Sequence, residues 1–414
     1  MHSLRRMVRA ELALVVIASV GLAGCVSPAP TSSLERSESS PPGDSAATGT
    51  AEPAAPAGFD LGDIVWVYTP PPSTLGGPNG AFRLEAGTLA VPQPIVNLGV
   101  PWRAELGEGS AREPAIGAPH GGAVVYVADD ALASEIHRVE VTADGVDEVL
   151  ARLDEVIWDI VVAPDESAAY AAVVDRADPT RDLGLVRILL DGSGAIEPIL
   201  PPAQPAAAGA FRRVATIAFQ VHLAISSDGH HLVRRTCQQA GNCLVELVDL
   251  ATGRSVELPD HEVLAVAAGV IVARACDRQG CGLRAIDIET RAVASAGVDT
   301  TGRVVEVDGE PLVVAVAGGG SGTFLVEAVN PASGRRNVLH RVPDGTDIVY
   351  GDFLFLQMDL PEGLIHLIQM TPIGGEGGPV RVDEQHLLLS IPDGRAIEIP
   401  RPAFTQPCGP GCHG

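Results

Sequence analysis

The sequence predicts an all-β chain folded as a closed ring of four-stranded units. Three observations carry that prediction. Gly and Pro supply 46 and 33 of the 414 residues, well above the roughly 12% combined share of ordinary proteins, so turns are frequent. Apolar residues make up 46% and charged residues only 19%, enough to bury a large core. Short runs of Val, Ile, Leu and Ala recur between Asp-Gly, Ser-Asp-Gly and Pro-Asp turns, at a period of about 40 residues that matches one propeller blade.

The N-terminus reads as an address. Met1–Arg9 is made positive by Arg5, Arg6 and Arg9, and Leu12–Val20 is apolar but too short to span a membrane as a permanent helix. Leu22-Ala23-Gly24-Cys25 follows and resembles the lipobox of bacterial lipoproteins. The resemblance implies that residues 1–24 are removed and that Cys25 is lipidated, which tethers a domain to a membrane without spanning it. The paired Arg5-Arg6 alone is weak ground for twin-arginine export. Val26 is not an Asp-type retention signal. In a cell with two membranes the resemblance therefore implies the outer one. Residues 25–58 are mainly Ser, Pro, Ala, Thr, Gly and Glu. Such a composition cannot repay the entropy of ordering, so a flexible tether is expected.

Residues 59–402 carry the ring. Pro164-Asp-Glu-Ser167 precedes the strand Ala169–Val174, and Ser227-Asp-Gly229 precedes His231–Arg234. Asp308-Gly309 precedes Leu312–Val316. Turns of this kind lie near residues 121, 165, 228, 269, 309, 351 and 384. Seven units are counted from about 113 to 400, with six and eight as alternatives. The last unit offers strands near 380–383, 386–390 and 396–399 and lacks a fourth. Ile64–Tyr68 is expected to supply it and close the ring, because an open ring leaves unpaired sheet edges. Residues 69–112, rich in Pro and Gly, fit no unit well.

Cysteines agree with export. Apart from Cys25, six fall into local pairs: Cys237/Cys243, Cys276/Cys281 and Cys408/Cys412. An even count in short-range pairs outside the cytoplasm reads as disulfides, the first two clamping hairpins. Zinc needs four ligands, usually with tighter Cys spacing and added His.

The Pro-Asp-Glu-Ser and Ser-Asp-Gly turns, with Asp-Leu-Ala-Thr-Gly at 249–253, are similar to those of WD-repeat-like and TolB-like β-propellers of exported bacterial proteins. The likeness covers roughly residues 60–402 and implies a blade, not a ligand. No Trp-Asp dipeptide closes a blade. Trp158-Asp159 falls on an expected inner strand.

Candidate chemistry is sparse. Gln220 and His222 share one face of an inner strand, and Asp159, His261, Glu262, Glu306 and Asp347 lie in or beside others. The catalytic candidates are Asp159, Glu262 and Asp347, as channel-mouth carboxylates for acid–base work. The binding candidates are Gln220, His222 and His261. Asp175, Asp178 and Asp182 cluster in one loop, but two Arg interrupt it and the calcium-loop spacing is absent. The tail 403–414 ends Cys408-Gly-Pro-Gly-Cys412-His413. Three residues separate its cysteines, where haem attachment uses two. His413 is therefore only a weak metal candidate, and a disulfide is the plainer reading.

Composition excludes several classes. All 28 basic residues are Arg, so Schiff-base and phosphate-loop lysines are absent. A formal charge of -24 is the wrong sign for nucleic acid. Aromatics are only 4%, too few for sugar, quinone or single-strand stacking platforms. No cofactor is expected. The sequence points to a binding or scaffold module, more than an enzyme, that meets a protein partner or small ligand on a loop face or channel mouth. The acidic surface favours basic partners. The alternatives are a hydrolase with mouth carboxylates and an electron-transfer protein using the terminal cysteines and His413.

Overall fold

The computed structural model describes residues 60–69, 80–102, 114–130, 132–179, 181–202, 220–237, 243–258, 262–267, 269–277, 280–296, 302–318, 324–351, 356–373 and 381–403. These residues form twenty-seven strands and no helix. Seven antiparallel blades make a seven-bladed β-propeller.

Blade 1 holds β1 (Val65–Tyr68), β2 (Gly80–Thr88) and β3 (Val91–Trp102). Its innermost strand, β24 (Leu356–Met358), comes from far along the chain. Blade 2 holds β4 (Ala123–Asp129), β5 (Ser134–Glu140) and β6 (Asp147–Leu153). Its inner position is filled by residues 115–117, which bridge β4 through Gly117 N to Val125 O and Val127 N to Ala115 O. Blade 3 runs β7 (Val156–Val162), β8 (Ala168–Val174), β9 (Asp182–Leu189) and β10 (Ile196–Leu200). Blade 4 runs β11 (Gln220–Ile225), β12 (His231–Cys237), β13 (Cys243–Asp249) and β14 (Arg254–Leu258). Blade 5 runs β15 (Glu262–Ala267), β16 (Val270–Asp277), β17 (Gly280–Asp287) and β18 (Val293–Ser295). Blade 6 runs β19 (Arg303–Val307), β20 (Glu310–Gly318), β21 (Phe324–Val329) and β22 (Arg336–Arg341). Blade 7 runs β23 (Asp347–Tyr350), β25 (Leu364–Ile373), β26 (Arg381–Ser390) and β27 (Ala396–Ile399).

Strand composition follows position in the blade. The second strands β4 (AVVYVAD) and β8 (AAYAAVV) are buried at every residue, because both faces pack on a neighbouring blade. The outer strand β14 (RSVEL) is exposed at four of five residues. Aliphatic clusters fill every seam of the ring. One spans blades 1 to 3, and further clusters join 3 to 4, 4 to 5, 5 to 6, 6 to 7 and 7 back to 1. The turns before the outer strands share one device. Asp191, Asp249, Asp287 and Asn330 each turn a side-chain oxygen onto backbone amides two or three residues ahead. The Ser193 hydroxyl and then its amide hold the Asp191 carboxyl below the ordinary Asp range, while for Asp249 and Asp287 the backbone amides lead and the Thr252 and Thr290 hydroxyls add to the effect.

Three expectations are corrected. Ile64–Tyr68 does not complete the last blade, which has four strands of its own. Instead β24 leaves blade 7 between β23 and β25 and pairs with β1, matching Trp66 to Met358 and Tyr68 to Leu356. Closure therefore exchanges a late strand into the first blade. Second, residues 80–102 are not outside the ring. They supply β2 and β3, and the Pro residues at 92, 94 and 101 sit on the outer strand β3, where no further ladder is needed. Third, residues near 384 make no turn: β26 runs unbroken through them.

Candidate functional site

In each blade the first-to-second and third-to-fourth connections fall on the same face, because the strands alternate in direction. On this face, between blades 7, 1 and 2, charged side chains gather. The Gly121-Gly122 turn leads into β4, and both residues have positive φ, a conformation that glycine adopts without strain. The Gly121 amide donates to Asp359 Oδ2 at 3.1 Å. The neighbouring His120 Nδ1 lies 3.6 Å from Asp359 Oδ1. Asp359 itself follows β24 and is anchored by its amide to the Val65 carbonyl at 2.9 Å. Strand exchange is thus what brings this carboxylate to blade 2.

Arg138 on β5 lies between two more carboxylates. Its Nη1 donates to Glu140 at 3.4 Å and its Nη2 to Glu166 at 3.3 Å. Glu166 belongs to the turn of blade 3 and has φ 55°. A Cβ at Gly121 would overlap its carboxylate. Asp63, just before β1, completes the set. A cavity of about 540 Å³ opens here, lined by Asp63, Arg138, Glu140, Thr142 and Asp359 with the two glycines. A second, of about 390 Å³, is lined by Val304, Glu306, Leu360, Pro361, Glu362 and Leu364, with Ser227 of blade 4. One backbone segment, 359–364, borders both.

The residues singled out from sequence are dispersed around this site. Asp159 sits mid-strand in β7, and its carboxylate accepts the amides of Ile160 at 2.9 Å and Leu223 at 2.8 Å. It links the inner strands of blades 3 and 4. Asp347 opens β23 and is exposed; Glu262 opens β15; Gln220 opens β11, where His222 is exposed two residues on. Asp159, Glu262 and Asp347 lie on three different inner strands, so no two of the catalytic candidates share a blade. Glu306 lines the smaller cavity of this face. Cys25, His261, Cys408, Cys412 and His413 lie outside the described residues.

The Asp loop has a different task. Asp175 pairs with Arg181 at 3.0 Å, while Asp182 is buried against Arg234 at 3.3 Å. Arg234, 1% exposed, also grips Glu246 at 2.6 Å. From the same loop Arg176 reaches back to blade 2, donating to the carbonyls of Asp130, Asp154 and Glu155 and pairing with buried Asp129 at 3.0 Å. Planar guanidinium groups suit such multidentate clamps. Among the described residues no group of three or more His, Cys, Asp or Glu is placed to hold a metal ion.

Sequence reasoning missed His120, Arg138, Glu140, Glu166 and Asp359 as a group. The Gly121-Gly122 turn was the one local signal. Asp359 gave none, since a strand exchanged out of its own blade breaks the repeat that would have located it.

No family model matches the sequence, and no curated protein matches it. Solved structures match in fold. A puromycin hydrolase is similar at 16% identity and TM-score 0.50, over 85% of this chain and 54% of that one. This chain therefore spans about half the length of the hydrolase. The β-propeller domain of the Trilobed protease from Pyrococcus furiosus matches at 10% identity and TM-score 0.46, over 84% and 96% of the two chains. TolB from Acinetobacter baumannii matches at 11% identity and TM-score 0.37, over 82% and 80%. At these identities the likeness is one of fold.

Proposed function

We propose that this chain is an extracytoplasmic, lipid-anchored β-propeller that binds a partner at the two cavities bordered by the segment 359–364. The observation that carries the reading is this pair of cavities, bordered by one exchanged segment and by fixed carboxylates. Concave, partly apolar sites with a few convergent polar groups are where ligands bind. Anchoring rests on the charged n-region, the short apolar stretch and Leu22–Cys25 in that order. Residues 25–58 act as the tether between Cys25 and the ring, on the cell-envelope side away from the cytoplasm.

Disulfides fit this location. The strand register sets Cys237 opposite Cys243 and Cys276 opposite Cys281, at the turn ends of the β12–β13 and β16–β17 hairpins. Directly opposed residues bring their Cβ atoms within disulfide reach, and the Cys281 sulfur is engaged in a disulfide. Cys408 and Cys412 form the third pair.

Fractionation of cells that express the full chain tests the anchor. The wild type is expected in the detergent-soluble membrane fraction with incorporated fatty acid. The Cys25→Ser variant is expected to lose the label and move to the soluble or signal-retained pool. A Cys25→Ser chain that keeps its label and fraction would contradict the anchor.

A further inference from the structure

The geometry points to the occupant of this face: a peptide segment that places a basic side chain in the larger cavity and a nearby apolar side chain in the smaller one. The inference deepens the binding-module reading and rests on it.

The two cavities differ in wall chemistry. The larger presents the carboxylates of Asp63, Glu140 and Asp359. Arg138, the cation in its lining, is already shared between Glu140 and Glu166. His120 is set against Asp359. The wall therefore holds a surplus of negative charge before any ligand arrives. Asp359 is also aimed: its Oδ2 is fixed by the Gly121 amide and its backbone by Val65. A cation entering the cavity meets acceptors that need little reorganisation. The smaller cavity is walled by Val304, Val305, Leu360, Pro361 and Leu364, with Glu306 and Glu362 as its charged lining. This surface takes an aliphatic side chain, and its carboxylates again disfavour an anion.

The cavities are close neighbours, since Asp359 borders one and the adjoining Leu360 the other. Residues near one another in an extended partner segment reach both. A phosphate-bearing or acidic ligand would meet like charge on both sides. A chain of formal charge -24 adds long-range attraction for a basic partner.

The test is selection of a displayed random peptide library on the purified, exported full chain. The enriched peptides are expected to carry Arg or Lys beside Leu, Ile, Val or Met. Their affinity is expected to fall about tenfold or more in the Asp359→Asn, Glu140→Gln double variant, and to weaken with added salt. Thermal melting checks that the variant is folded. If it is not, the Asp63→Asn variant, whose residue precedes β1, replaces it. Enrichment of acidic or purely apolar peptides, enrichment indifferent to these substitutions, or none at all would overturn the inference. A partner captured by the wild type with equal affinity in the variants would overturn it while leaving the binding-module reading in place.

Discussion

Arg176 and Arg234 show how much of this ring depends on single side chains. Asp129 is 1% exposed and Asp182 is 7% exposed, and each is paired with a guanidinium. Removing one member of a buried pair costs about 3–5 kcal/mol, because the other charge is left uncompensated. Arg176→Ala is therefore expected to lower stability by roughly that amount in denaturant unfolding. Arg176→Lys is expected to recover only part, since one ammonium cannot reach every carbonyl that the guanidinium serves. A full recovery by Lys would contradict the multidentate role.

A second residue-scale feature is the histidine pair in blade 7. His366 Nε2 and His386 Nδ1 lie 3.1 Å apart, with the rings stacked and both residues buried. Burial pushes both imidazoles down, His366 to about 3 with its neighbour's charge adding to the effect, and His386 to about 4 with Arg401 adding. The unfolded chain therefore binds protons that the folded ring refuses. Stability is expected to fall as pH drops through about 6.5 and to keep falling toward about 4, by roughly 2–4 kcal/mol at pH 5 for the pair. Unfolding midpoints at pH 7.5 and 5 check this. The H366Q/H386Q variant is expected to flatten the difference, and an unchanged difference would assign it to other groups.

At the scale of elements, the exchanged strand β24 is the decisive piece. It supplies the inner ladder of blade 1 and delivers Asp359 to blade 2. Leu356→Pro is expected to break the β1 pairing at Tyr68 and the seam cluster that contains Trp66 and Leu388. Its signature is an early unfolding phase in hydrogen exchange at residues 64–68, with blades 3 to 6 still protected. Uniform loss of protection would show instead that the ring unfolds as one unit. Trp66 itself needs Gly87, where any Cβ would enter the indole ring.

This element also marks where the sequence stopped being legible. The blades from 3 to 6 could be read because their Asp-x-x turns and β-branched runs repeat with little interruption. Blade 1 could not, because its inner strand lies nearly three hundred residues from its neighbours in the chain. Its outer strand β3 carries prolines at 92, 94 and 101 that read as loop. The site was hidden for the same reason. Asp359, Arg138 and Glu166 come from three blades and share no spacing. Conversely, Asp159 was rightly placed on an inner strand, but pattern alone could not reveal that its carboxylate caps the amide of Leu223 across a blade boundary.

For the whole molecule, closure, charge and edges act together. Apolar clusters fill each seam, one of them running from blade 1 to blade 3, so no blade is buried on one side only. The outer strands β10, β14 and β22 end their sheets with short ladders, charged residues and, in β10, Pro198, which blunts edge pairing with other chains. The proposed contact surface is the face that carries the two cavities. Site-specific photo-crosslinking in the full chain tests that claim most directly. Probes replace Thr142 and Glu362 on this face, and Val256 and Val293 on the rim. The account predicts partner adducts from Thr142 and Glu362 and none from the rim positions. Adducts from the rim alone, or from no position, would contradict it.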